Sequence, residues 1–160
     1  MIILTVLAED INFAKNQIKK FEKTKNGSFR YNDVHAWRGV VCELLCSKWL
    51  SEHYKVTEKA NCLEDLGRFD NYDMIINNKK VEIKSATKWH FQYILPKCRN
   101  VFERKKDIYV GCRYNERVDP NRVEIHGWMT HDQIINYPVK QNKGAKYFEV
   151  SLYDLNEFKK

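Results

Sequence analysis

A chain of 160 residues with 43% hydrophobic and 31% charged side chains has the composition of one globular domain, which excludes a disordered or fibrous chain. Its 28 lysines and arginines outnumber 21 aspartates and glutamates, and the net charge of +7 suits a polyanionic partner through counterion release, while serving solubility equally well. Five cysteines (Cys42, Cys46, Cys62, Cys98, Cys112) cannot all pair within one chain, and no apolar run is long enough to span a membrane. The expectation is a reducing, intracellular setting (cytoplasm, nucleoid, or a host cell if virus-encoded), with no membrane role.

Residues 1–7 read as a short strand or as the apolar entry to a helix. Ile11, Ala14, Ile18 and Phe21 recur at helical spacing and predict an amphipathic helix, broken by Asn26-Gly27-Ser28. Asp33 is placed to cap a second helix with the stripe Trp37, Val40, Val41, Leu44, Leu45 and Trp49. Glu43 lies inside that helix, where a solvated glutamate is by itself a sufficient explanation. Cys42 and Cys46 share a helical face, but no second Cys or His pair stands at zinc spacing, so they read as core thiols.

A β-rich stretch follows. Segments 66–69, 72–76 and 81–85 predict three strands, the last two joined by Asn77-Asn78-Lys79-Lys80, whose asparagines tolerate the positive φ of tight turns. A helix is expected over about 89–95, interrupted by Pro96. Segments 107–114 and 123–128 predict two more strands, and Thr130 caps a short helix ending before Pro138. A last strand over 147–151 and a terminal turn or helix over 152–158 complete an α/β sandwich around a mixed sheet.

The hairpin carries the chemistry. Any even-length loop puts Asp73 on the same face as Glu82 and Lys84, while Tyr72, Met74, Ile76, Val81 and Ile83 form an apolar wall on the other. Opposed side chains stand about 5 Å apart at Cβ and diagonal ones about 7 Å, close enough to share an ion. Two facing carboxylates repel, and a hard divalent ion such as Mg²⁺ removes the repulsion. Asp73, Glu82 and the Ile83 carbonyl are the candidate ligands, and Lys84 would orient or help deprotonate an attacking water. An ordinary Asp73–Lys84 ion pair would explain the lysine but not Glu82. Asp70 competes for the role of first carboxylate but precedes a turn rather than lying in the strand.

The run from Tyr72 through Glu82-Ile83-Lys84-Ser85 resembles the signature hairpin of the PD-(D/E)xK nuclease superfamily. The family's two acidic positions fall on Asp73 and Glu82 and its lysine on Lys84; Tyr72 stands where a proline is usually written. An upstream helix in many members supplies another glutamate, which Glu43 matches. The resemblance covers roughly 33–128 and implies a restriction-endonuclease-like fold: a mixed central sheet flanked by helices. Residues 1–32 would then be an N-terminal helical extension, 33–128 a catalytic core and 129–160 a tail.

The implied activity is endonucleolytic hydrolysis of DNA with Mg²⁺, or Mn²⁺ in its place. The implied partner is DNA, double-stranded in the first instance, cut by a homodimer or higher homo-oligomer. Ser85, Lys88, His90 and Gln92, just after the signature strand, are candidate nucleic-acid contacts, and Arg99, Arg104, Lys105 and Lys106 form the densest basic run. Trp89 is placed to stack on a base or to join the core. Arg113, Arg117 and Arg122 lie beyond, and Lys140, Lys143 and Lys146 surround Gly144 in an expected mobile loop. The alternatives are a non-catalytic DNA- or RNA-binding module on the same fold, or a nuclease specific for junctions or single strands.

Overall fold

The computed structural model describes residues 1–23, 36–59, 72–87, 91–142 and 144–159. In chain order these form β1 (Ile2–Thr5), α1 (Ala8–Lys23), α2 (Trp37–His53), β2 (Val56–Lys59), β3 (Met74–Ile76) and β4 (Lys79–Ala86). There follow β5 (Tyr93–Ile94), α3 (Cys98–Glu103), β6 (Ile108–Tyr114), β7 (Arg122–Thr130) and α4 (His131–Ile134). The strands β8 (Val139–Asn142), β9 (Ala145–Phe148) and β10 (Val150–Ser151) and a 3₁₀ turn (Leu152–Asp154) end the order. No helix among the described residues is long and apolar enough to cross a membrane.

Six strands make one mixed sheet in the order β1-β7-β6-β4-β3-β2. Every neighbouring pair in it is antiparallel except β4 and β6. The parallel pair needs a crossover, which runs through β5 and α3. The expected α/β class with a mixed sheet is therefore what the chain adopts.

One face of the sheet is sealed by α1 and α2. Val40, Val41, Cys42, Leu45, Cys46 and Leu50 of α2 meet Met74, Val81, Ile83, Val110, Cys112 and Ile125 of the sheet in one buried cluster. Each such aliphatic side chain contributes roughly 1.5–3 kcal/mol when withdrawn from water. Cys42 and Cys46 are core thiols, as the sequence predicts. The opposite face carries a second cluster built from Ile94, Val101, Tyr109, Met129, Ile134, Phe148 and Leu152. Gly111 and Gly127 pair across β6 and β7, and the C-terminal segment lies against them. A β-carbon on Gly111 would strike Leu155 and Leu152, and one on Gly127 would strike the backbone of Asn156.

Residues 1–23 form a short strand and an amphipathic helix, as the sequence allows: β1 is an edge strand of the sheet, paired Ile2 to Ile125, and α1 buries Ala14 and Ile18. Several other expectations need correction. Asp33 lies outside the described residues, and α2 starts from Ala36 without a side-chain cap. Within the expected helix of about 89–95, the described part holds β5, paired to β10, because aromatic and β-branched Tyr93-Ile94 fit a ladder and Pro96 forbids continuing a helix. The helix comes later, as α3. The expected loop around Gly144 is instead the β8–β9 hairpin, and the expected strand 147–151 is split between β9 and β10 at Glu149. The capped helix at Thr130 is present, with Gln133 completing a capping box. The segment 66–69 and Asp70 lie outside the described residues.

Candidate active site

The β3–β4 hairpin turns on two residues, not four. Asn77 (φ 48°) and Asn78 (φ 61°) both occupy left-handed backbone, so Lys79 and Lys80 belong to β4. Met74 pairs with Val81, which puts Asp73 beside Glu82 at the next rung. Asp73 ends the ladder with its own side chain: its N–H donates to the Val81 carbonyl (2.9 Å), and its Oδ2 accepts the Ile83 N–H (2.5 Å). An extended residue sends its N–H and C=O to the same strand edge, so the Ile83 carbonyl faces the edge where Asp73 sits.

Glu82 and Lys84 lie on the sheet face away from α2, over Tyr109 and Gly111 of β6. Glu82 Oε1 is held by Lys84 Nζ. Glu82 Oε2 faces a second ammonium, that of Lys106, at 3.6 Å. Lys106 Nζ also donates to the carbonyl of Arg104 at 2.7 Å. The strand end that carries Lys106 is fixed by Asp107, whose N–H donates to the Lys80 carbonyl (2.9 Å) and whose Oδ2 accepts the Lys80 N–H (2.8 Å).

The electrostatics join a third carboxylate to the group. Burial, then the charges of Glu43 and Glu82, push the Asp73 carboxyl well above the ordinary aspartate range, against the pull of Lys84 and the Ile83 N–H. Glu43 thus acts on Asp73 from α2, whose apolar face fixes it on the sheet. Burial works against the Lys84 cation, but Glu82, Asp73 and Glu43 outweigh it and raise its pKa. Lys106 moves the other way: burial and then the like charge of Lys84 lower it, despite Glu82 and Asp73. Tyr109, beneath Glu82, is pushed up to about 12 by burial and then by that carboxylate.

Asp73, Glu82, Lys84 and Glu43 are therefore brought together. Among the described residues, however, no three His, Cys, Asp or Glu side chains converge closely enough to hold an ion as they stand. Both oxygens of Glu82 face lysines.

The expected nucleic-acid contacts divide. Lys106 is no surface phosphate contact: only 4% exposed, it is drawn inward by the Glu82 carboxylate. Ser85 faces α2, its Oγ 3.4 Å from where a β-carbon on Gly39 would sit, so it is on the opposite side of β4 from Glu82 and Lys84. Gln92 is exposed, and its backbone carbonyl accepts the Leu152 N–H. Arg99 is exposed and paired with Glu103, and Arg104 and Lys105 are exposed in the turn leading to Lys106. Lys88, His90 and Trp89 lie outside the described residues.

Arg113 and Arg122 both bind Glu124, beside His126, so their charge is largely spent within the protein. The sequence groups Lys106 with Arg104 and Lys105 as a nucleic-acid contact; only the β4–β6 register sets it beside Glu82. No protein-family model, curated protein or solved structure matches the chain.

Proposed function

We propose that this chain is a metal-dependent endonuclease of the PD-(D/E)xK type, hydrolysing DNA phosphodiester bonds on a restriction-endonuclease-like version of its α/β fold. The observation that carries the reading is the meeting of Asp73, Glu82 and Lys84 on one hairpin edge with Glu43 close enough to perturb Asp73. Such a set of like charges costs stability and is characteristic of a functional site. Its donors are of the kind a hard divalent cation prefers: carboxylate oxygens and a strand-edge carbonyl. Asp73, Glu82 and the Ile83 carbonyl would hold Mg²⁺ or Mn²⁺, with Glu43 supporting them. When bound, the ion supplies positive charge for the phosphate and a more acidic water.

The chain's own residues have distinct tasks. Lys84, with its pKa raised, remains protonated at neutral pH, so it acts as a cation. Its Nζ orients the attacking water and offsets charge developing on the phosphate oxygens. Asp73 is fixed by the Ile83 N–H and Glu82 is held by Lys84. Exposed Arg99, Arg104 and Lys105, with Lys140 and Lys146 on the β8–β9 hairpin, give phosphate contacts of the kind that position a duplex. Each chain carries one such site, and duplex cleavage requires two strands cut, so a homodimer or higher homo-oligomer accompanies this reading.

One observation favours a second reading. The Lys84–Glu82–Lys106 pairing is also what a non-catalytic DNA- or RNA-binding module would use to neutralise a half-buried glutamate. Supercoiled plasmid incubated with Mg²⁺ or Mn²⁺ separates the two. The nuclease yields nicked and linear DNA, and Lys84→Ala and Asp73→Ala lower the rate by on the order of 100-fold or more. A wild-type protein that binds DNA but is inert with every metal and with linear, branched and single-stranded substrates would establish the second reading.

A further inference from the structure

Lys106 has no place in the superfamily's signature and no task in the mechanism above. Lysine is almost never buried unless paired, yet this one is 4% exposed. Two groups hold it, on a strand end that is itself fixed. Its Nζ stands 3.6 Å from Glu82 Oε2 and donates to the Arg104 carbonyl at 2.7 Å. The adjacent residue, Asp107, is locked to Lys80 by two hydrogen bonds. With Glu82 and Arg104 already on its ammonium, and with that burial, Lys106 is not free to reach a phosphate of bound DNA.

The pairing on Glu82 gives it another use. Among the described residues, Lys84 and Lys106 each face one oxygen of that carboxylate. Glu82 Oε1 is taken by Lys84, so Oε2 is the oxygen an incoming cation would have to win, and Lys106 faces it. We infer that Lys106 is the resident counter-ion of the site: it holds Glu82 Oε2 while no divalent ion is bound, competes with that ion for the oxygen, and so sets the concentration at which metal loads. This inference rests on the metal-dependent reading proposed above. Lys106 is a positioning residue, acting through Glu82.

The test is direct metal binding without turnover: calorimetric titration of Mn²⁺ and of Ca²⁺ into the full chain, with circular dichroism to verify folding. Lys106→Met removes the charge and keeps much of the volume; Lys106→Gln is the second neutral variant, and Lys106→Arg keeps the charge. Removing one positive charge a few ångströms from a divalent ion is expected to tighten binding by about tenfold or more in both neutral variants. Lys106→Arg should stay near wild type, and Asp73→Asn should abolish binding.

Unchanged or weaker binding in folded neutral variants overturns the inference and leaves the metal-dependent reading standing. Failure of both to fold even with saturating Mn²⁺ also overturns it, since a counter-ion that metal can replace is not a pillar of the fold. A wild-type protein that binds neither ion overturns the metal-dependent reading, and this inference with it.

Discussion

Lys80 and Asp107 are joined twice, the Asp107 N–H to the Lys80 carbonyl at 2.9 Å and the Lys80 N–H to Asp107 Oδ2 at 2.8 Å. The second bond uses a side chain to extend the parallel β4–β6 ladder beyond its first rung, and it stands next to Lys106. Asp107→Ala is expected to cost about 0.5–1.5 kcal/mol in urea unfolding, because water replaces the lost acceptor at this exposed backbone donor. Asp107→Asn retains an acceptor oxygen and should recover most of that loss.

Asp73 sets an opposition between stability and activity. Burial, then Glu43 and Glu82, raise its pKa, so the folded protein holds its proton more tightly than the unfolded chain does. That contribution is complete below the ordinary aspartate range and is lost as pH rises through the raised value. Metal-free protein should therefore lose thermal stability as pH rises above the ordinary aspartate range. Asp73→Asn keeps an acceptor for the Ile83 N–H and removes the charge. It should flatten this dependence, raise the melting temperature in EDTA at neutral pH, and abolish cleavage. Scanning fluorimetry across pH checks the first two outcomes.

The asparagine turn is a matter of backbone alone. Alanine at Asn77 and Asn78 together must adopt φ near 48° and 61°, at roughly 1 kcal/mol or more for each residue. Asn78→Gly should be neutral or stabilise by a few tenths of a kcal/mol. Denaturant midpoints of the two variants, measured in parallel, decide it.

Gly111→Ala should cost about 1–3 kcal/mol by driving Leu155 and Leu152 off the sheet. If that collision is the cause, Leu155→Ala should be less damaging in the Gly111→Ala background than alone, and a double-mutant cycle would show the coupling. Purely additive losses would contradict it.

The hairpin could be read from the sequence because its signals are local: period-two alternation, an Asn-Asn turn, and acids and a lysine at fixed parity. Helix α2 could be read for the same kind of reason, its stripe being contiguous in sequence. What escaped depends on partners distant in sequence. Lys106 looks like its neighbours Arg104 and Lys105 until β6 is set parallel to β4 and Glu82 claims one cation of the three. Ser85 looks like a site residue until the pleat turns it toward Gly39. Tyr93-Ile94 suits a strand but is too short a run to declare one, and the pairing with β10 makes it one. Arg113 and Arg122 look free until β7 brings Glu124 between them.

Strand β1 has a consequence for how the protein is made. Ile2 to Thr5 pair with Ile125 to Arg122, and the Val6 N–H reaches the Asn121 carbonyl at 2.9 Å. These residues leave the ribosome long before β7, so an apolar strand waits unpaired until residues 122–125 are made. Contacts this distant in sequence slow folding, and an exposed strand edge invites other chains in the interval. Yield of native protein should therefore rise at lower expression temperature or with added chaperone capacity, and a polar substitution at exposed Ile3 should raise it further without altering the sheet.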